Sequence, residues 1–174
     1  MTVTLNVKQY VDDEGITHID IDQLGAAGIK GTSERRILHG EWNEHEDHVF
    51  GAIKGRSKWT KLSALSDSDE DDKFLKSKWD QQTQDGDVIE SYAESLNNGW
   101  IARQVWGFQD VNGVRKYTRN IIVNKGSETH RVTLHYDYKE PKAWVPCMQW
   151  RRLCEAGYMR GYAVLQDLLV EICM

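Results

Sequence analysis

The sequence predicts an all-β protein, an eight-stranded antiparallel up-and-down barrel with a short helix and a C-terminal helical tail. Three observations predict it. Apolar and polar residues alternate with period two through most of residues 2–139, which marks strands with one buried face. Tight-turn pairs such as Asn98-Gly99 and Asn112-Gly113 separate the later runs, as two-residue hairpins require. Both prolines, Pro141 and Pro146, fall after the last run, so no strand interior lacks a backbone donor.

The elements follow in order. Residues 2–11 place Val3, Leu5, Val7, Gln9 and Val11 on one face and Thr4, Asn6, Lys8 and Tyr10 on the other. Asp12-Asp13-Glu14-Gly15 turns the chain, with Gly15 free to take positive φ. The second strand covers about residues 16–23, where Ile19 and Ile21 alternate with His18, Asp20 and Asp22. A third strand runs over roughly 31–42 and a fourth over roughly 48–62, with Gly51 and Gly55 marking a bend. The acidic stretch 66–72 reads as a solvated loop, followed by a short helix around Phe74–Trp79 behind an aspartate cap. Strands over about 87–96, 100–109, 114–124 and 129–139 complete the eight. The tail differs: Leu153, Tyr158, Tyr162, Leu165 and Leu169 lie near helical spacing within residues 148–170. The expected organisation is a barrel over 1–140 and a partly helical tail over 141–174.

Composition limits the partners. The chain has 174 residues, 28% of them charged, and a net charge of -5. One domain of that size buries a substantial core without crosslinks. Scattered Lys and Arg in an acidic chain argue against nucleic acid as a partner, because phosphate contacts need clustered cations. No run of 18 apolar residues occurs, so no membrane span is expected. The first 20 residues lack a secretory pattern. The three cysteines, Cys147, Cys154 and Cys173, show no disulfide framework. A cytoplasmic location is the expectation. The apolar tail makes a homodimer an expected partner state.

Gly40-Glu41-Trp42 resembles the Gly-x-Trp signature of lipocalins, whose tryptophan packs at the closed end of the barrel. A longer resemblance is carried by the blocks at 18–23, 31–36, 45–51 and 55–59 (His18 to Gln23, Gly31 to Arg36, His45 to Gly51, Gly55 to Trp59). Gln104-Val105-Trp106-Gly107-Phe108 and residues 131–138 extend it. These blocks look like a family of fungal lipocalin-like proteins, over roughly residues 2–139. The resemblance implies a lipocalin-like barrel. It also implies cofactor-free cyclase or isomerase chemistry in natural-product pathways, for example closing an oxygen ring on a prenylated polyketide.

In a barrel one face of each strand points inward. The apolar members assign that face: Glu34, Arg36, Leu38, Gly40 and Trp42 on the third strand, and Trp100, Ala102, Gln104, Trp106 and Phe108 on the sixth. The seventh contributes Arg115, Tyr117, Arg119, Ile121 and Val123, and the eighth Val132, Leu134, Tyr136 and Tyr138. A register slip of one residue would instead turn His18, Asp20, Asp22, His39 and Glu41 inward.

Apolar walls with a few convergent polar groups suit a small hydrophobic metabolite. Glu34 is the candidate general acid or base, tuned by burial and a neighbouring arginine. Arg36 or Arg119 would stabilise an enolate or phenolate, and Tyr117 or Tyr136 would relay a proton. Gln104, Trp106, Trp42, Phe108 and Tyr136 are candidate substrate-binding residues, with Trp106 placed to stack on a flat ligand. A self-satisfying Glu–Arg network in the wall would give the same sequence pattern.

His39, Glu41 and residues 45–48 form a polar cluster, but it lacks the helical context of zinc motifs, so no metal is expected. No phosphate-cradling glycine loop, nucleophile elbow or Cys–His pair appears in the barrel region, so no cofactor is expected. Three functions are compatible with this reading. One is a cofactor-independent cyclase or isomerase, favoured by the ionisable set Glu34, Arg36 and Arg119. The second is a carrier of a small apolar molecule, and the third an interaction module acting through its tail.

Overall fold

The computed structural model describes residues 2–24, 30–47, 50–139 and 166–173. Ten strands occur among them: β1 (Thr2–Val11), β2 (Thr17–Leu24), β3 (Lys30–Ile37), β4 (Asn43–Asp47), β5 (Gly51–Thr60), β6 (Val88–Ser95), β7 (Trp100–Val111), β8 (Val114–Lys125), β9 (Glu128–Lys139) and β10 (Gln166–Cys173). All pair antiparallel in one sheet, in the order β3-β2-β1-β10-β9-β8-β7-β6-β5-β4. Each strand lies beside its sequence neighbours, β1 also lies beside β10, and the one break falls between β3 and β4.

The two edges approach each other there. His39 bridges Lys58 of β5, and the Gly40 amide donates to the Ser57 carbonyl at 2.9 Å. No ladder joins β3 to β4 among the described residues. The sheet is therefore curled, with its ends touching. That differs from the expected eight-stranded closed ring in strand count and in the closing ladder.

The turns are those the sequence specifies. Asp12 Oδ1 accepts from the amides of Glu14 at 3.0 Å and Ile16 at 2.8 Å, and Gly15 has φ of 82°. Asn112 and Gly113 both have positive φ, 56° and 78°, the backbone of a type I′ turn whose twist matches the flanking strands. A two-residue turn fixes register, so Trp106 pairs with Arg119 across β7 and β8. The next hairpin sets Tyr117 opposite Tyr136.

Two strands depart from expectation. β4 lies in the gap between the expected third and fourth strands. Four of its five residues are exposed and none is apolar, which suits an edge strand but leaves no alternation to read. β10 replaces the C-terminal end of the expected tail helix. Leu168, Val170 and Ile172 stand opposite Val7, Leu5 and Val3 in the β1 ladder, and long-range pairing overrides the local helical spacing. The rest of that helix, residues 148–165, lies outside the described residues.

The sheet has a core on each face. Leu5, Ile19, Ile21, Leu38, Ile89, Trp106 and Tyr136 cluster on the concave side, brought together from strands far apart in the sheet. On the convex side Leu62, Leu65, Leu75 and Trp79 cover Val88, Val105 and Ile122. This covering segment includes α1 (Glu70–Leu75) and α2 (Gln81–Asp85), capped by the side chains of Asp69 and Asp80. The acidic stretch is thus more than a solvated loop. Asp72 is buried, accepts from the Ser66 amide at 2.6 Å and pairs with Arg103, while Asp71 pairs with Arg131.

Asn120 fastens the covering segment to β8. Its side chain is fully buried, and Nδ2 donates towards the carbonyls of Phe74 at 3.3 Å, Leu75 at 3.4 Å and Ser77 at 3.1 Å. Oδ1 accepts from Thr133 at 2.9 Å. Phe74 and Leu75 close α1 and Ser77 follows it, and their carbonyls also accept from Ser77, Trp79 and Gln109, as the end of a helix requires. Asn120→Ala is expected to destabilise the protein by about 1–3 kcal/mol, because the buried bonds from β8 to the covering segment and to Thr133 are lost. Urea unfolding followed by tryptophan fluorescence measures this, and a midpoint equal to wild type would contradict the assigned role.

Candidate active site

The concave face follows the expected phase. Ile19 and Ile21 are buried on it, while Asp20 and Asp22 pair with Arg35 at the sheet surface. The one-residue slip therefore does not occur, and Glu34, Arg36, Gln104, Trp106, Phe108, Tyr117, Arg119 and Tyr136 all fall on the inner side.

Arg119 is at the centre and is 5% exposed. Its guanidinium lies 4.0 Å from the centroid of Trp106, its cross-strand partner. Tyr117 and Tyr136 flank it at 5.7 and 5.5 Å. Nε donates to the Tyr117 hydroxyl at 3.0 Å. Nη2 is buried and has no hydrogen-bond partner among the described residues. Burial opposes the charge, but the two tyrosines and Glu34 outweigh it and raise the Arg119 pKa, so the group is cationic at all ordinary pH. The indole itself is fixed, because Trp106 Nε1 donates to Gln104 Oε1 at 2.9 Å.

Glu34 and Arg36 lie two residues apart on β3. Arg36 Nε and Nη2 both donate to Glu34 Oε2, at 3.2 and 2.9 Å. Burial by itself would raise the Glu34 pKa, but the charges of Arg36 and Arg119 outweigh it and hold the carboxyl below its ordinary value. Glu34 is therefore a carboxylate at neutral pH and has no proton to give as an acid. Burial raises Tyr117 despite the opposing charge of Arg119. It also raises Tyr136, to about 12. Both phenols stay neutral and remain hydrogen-bond donors.

Two cavities open on either side of this layer. The larger, about 540 Å³, is lined by Val7, Ile19, Ile89, Trp106, Phe108 and Tyr117 and reaches α2 through Gln82 and Thr83. The smaller, about 350 Å³, is lined by Glu34, Arg36, Trp100, Gln104 and Ile121, together with His45 and Asp47 of β4. Along β7 and β8 the lining changes cavity at alternate residues: Gln104 and Ile121 face the smaller, Trp106 and Tyr117 the larger. Arg119 stands between Ile121 and Tyr117 on the same face.

Trp42 is placed elsewhere. It is 39% exposed on the convex side, edge-on to Tyr92 with Lys54 and Arg56 over its ring. β3 ends at Ile37, and Gly40, with φ of 81°, breaks the phase that would have carried residue 42 inward. The Gly-x-Trp tryptophan therefore does not close the core, and the buried indole of this face is Trp106. At the ends of β9, Val132 and Tyr138 are exposed rather than inward. Sequence reasoning put His45 and Asp47 in a polar cluster but not in the site, because a wholly polar edge strand carries no periodic signal. Among the described residues no three His, Cys, Asp or Glu side chains are placed to hold a metal ion. His48 lies outside the described residues. No helix among the described residues is long and apolar enough to cross a membrane.

The tyrosine environment gives a direct test. Tyr136 favours its neutral phenol in the folded state, so its contribution to stability is complete below pH 10 and is lost as pH rises towards about 12. A titration of phenolate absorbance should contain a late component near pH 12 that Tyr136→Phe removes. A wild-type curve complete at pH 11 would contradict this placement.

No family model and no solved structure matches the chain. Two curated fungal proteins do. One, from Mollisia scopiformis, carries the name probable pericyclase scpY and is 32% identical over 128 residues, covering 74% of this chain and 65% of the relative. The other, from an Acremonium species, is named pericyclase pydY and is 28% identical over 144 residues, covering 82% of this chain and 75% of the relative. The chain therefore spans just under two thirds of the length of the first relative and three quarters of the second, and it is similar to both through most of its own length.

Proposed function

We infer that this chain is a cofactor-independent cyclase or isomerase that carries out a pericyclic ring closure on a small hydrophobic, polyketide-type metabolite of fungal secondary metabolism. The curled sheet serves as a lipocalin-like barrel, and the larger cavity holds the reacting part of the substrate. The observation that carries the reading is the buried, cationic Arg119 with an unpartnered Nη2. A buried N–H without an acceptor costs about 1–3 kcal/mol, which a substrate carbonyl docked there would relieve. The names of the two fungal relatives support the same reaction class.

Such chemistry fits the groups present. A pericyclic reaction moves electrons around a closed loop of atoms, with no net proton transfer and no oxidant. The protein then has two tasks. It must hold a flexible chain in a folded, reactive shape, which is a gain in effective concentration. It must also polarise a carbonyl conjugated with the reacting bonds. A charged donor fixed in an apolar cavity does this better than water, because it needs no reorganisation during the reaction. Arg119 supplies that donor, and the neutral Tyr117 and Tyr136 surround it. Trp106 and Phe108 give flat walls for an unsaturated chain. Glu34, being ionised and bound by Arg36, acts here as a counter-charge for Arg119 rather than as an acid.

The competing reading is a carrier that binds the same molecule without changing it. Incubating the protein with an extract of a culture lacking its gene separates the two. A catalyst consumes a precursor and yields a product of identical mass. Arg119→Met, shown folded by circular dichroism, should lower the rate of that conversion by about 100- to 1,000-fold, the scale of losing one fixed charged donor. A precursor recovered unchanged with the purified protein would establish the carrier, and full activity in Arg119→Met would remove Arg119 from its role.

A further inference from the structure

The two cavities differ in the polar groups they present next to the layer that separates them. Around the larger one the inner polar groups are donors, the Tyr117 hydroxyl and the Arg119 guanidinium held against Trp106 behind the lining, while at the rim Arg115 lies 3.9 Å from the Phe108 ring and the carboxylate Asp87 is paired with Lys61. Around the smaller one the ionic groups are Glu34 and Asp47 against Arg36, with His45 beside them. Arg36 Nε and Nη2 both donate to Glu34 Oε2, and Glu34 lines the cavity. Asp47 accepts the Phe50 amide at 2.9 Å and keeps its negative charge close enough to act on Glu34. The opposite wall is apolar and flat, formed by Trp100, Ile53, Ile121 and Val123.

We propose that the smaller cavity is a second compartment of the site that takes a hydrogen-bond-donating end of the substrate, a hydroxyl or N–H group on an apolar body, against Glu34. This rests on the functional reading in which a carbonyl of the same molecule meets Arg119. Glu34 lies in the smaller cavity and Trp106 in the larger, with Arg119 in the layer between them and its charge felt at Glu34. A substrate with an acceptor near its middle and a donor towards one end matches that polarity in one orientation only. Reversed, it would set a carbonyl against two carboxylates and a donor against a guanidinium. The interior therefore selects both a substrate class and its direction. An anionic end group is excluded from the smaller cavity, because like charges brought together in a dry site cost several kcal/mol.

The test uses ligands small enough for the smaller cavity alone. Protein labelled with 5-fluorotryptophan is titrated with 2-naphthylmethanol and, separately, with 2-naphthoate, and each is followed by fluorine NMR. Trp100→Phe assigns the resonance from the smaller cavity and Trp106→Phe the one from the larger. Expected is a shift at Trp100 with 2-naphthylmethanol bound at least ~10-fold more tightly than 2-naphthoate. Glu34→Gln should bring the two affinities within about twofold of each other. Val123→Phe, which fills the cavity from its apolar side and leaves the ionic groups in place, should abolish the Trp100 response in a folded protein.

Equal binding of both probes, a response at Trp106 without one at Trp100, or an unchanged titration in Val123→Phe would overturn the proposal. Because this readout needs no turnover, it separates from the functional reading. Selective binding at Trp100 with no conversion of any extract component would leave the compartment standing and remove the cyclase. Conversion without selectivity at Trp100 would do the reverse.

Discussion

The interior of this protein is organised around one buried charge. A guanidinium removed from water is stable only where partners replace its hydration. Arg119 gets a π-face from Trp106, a hydroxyl from Tyr117 and a counter-charge from Glu34. Each partner needs support in turn. Gln104 holds the indole, and Arg36 holds the carboxylate. The chain of dependence runs through β3, β7, β8 and β9, so the charge can be buried only if those strands are already in register. One donor is left over at the end of that chain, and it is this surplus that gives the cavity a chemical direction.

The sheet bears the cost of this arrangement by being packed on both sides. β8 is the clearest case: Tyr117, Arg119 and Ile121 face the interior, while Thr118, Asn120 and Ile122 are buried beneath the covering segment. A strand buried on both faces has little freedom to shift. That rigidity is what a fixed donor needs, since a polarising group that relaxes during reaction loses most of its advantage. The polar residues on the outer side, Asn120 and Asp72, tie down helix ends and loop amides. They stabilise the platform and do not line either cavity.

Much of this was legible in the sequence, and the reasons differ by element. Period-two alternation assigned the inner face of β7 and β8 because both strands carry apolar residues in phase. The turns carried more than was drawn from them. Trp106 lies six residues before Asn112, and Arg119 six after Gly113, so a two-residue hairpin sets them opposite each other. Other features were out of reach. β4 has no apolar residue to mark a face, and β10 is specified by its pairing with β1 across the whole chain. Trp42 was misplaced because one glycine in the left-handed region shifts everything after it. The polarity of Glu34 depended on two arginines, one of them 85 positions away, whose combined field no local pattern encodes.

The seating of β10 between β1 and β9 bears on how the chain comes together. Synthesis delivers β1, β2 and β3 first and β4 to β9 afterwards, as two blocks each with an open edge. The strand that joins them is made after both. Until it arrives, the hydrophobic face shared by β1, β2, β7 and β9 has no fixed geometry, and the long loop it closes makes the final step slow. During that interval the bare flanks of both blocks are templates for pairing with other nascent chains. Assembly is therefore a race between the docking of β10 and self-association, and anything that delays the synthesis of β10 lengthens the period of exposure.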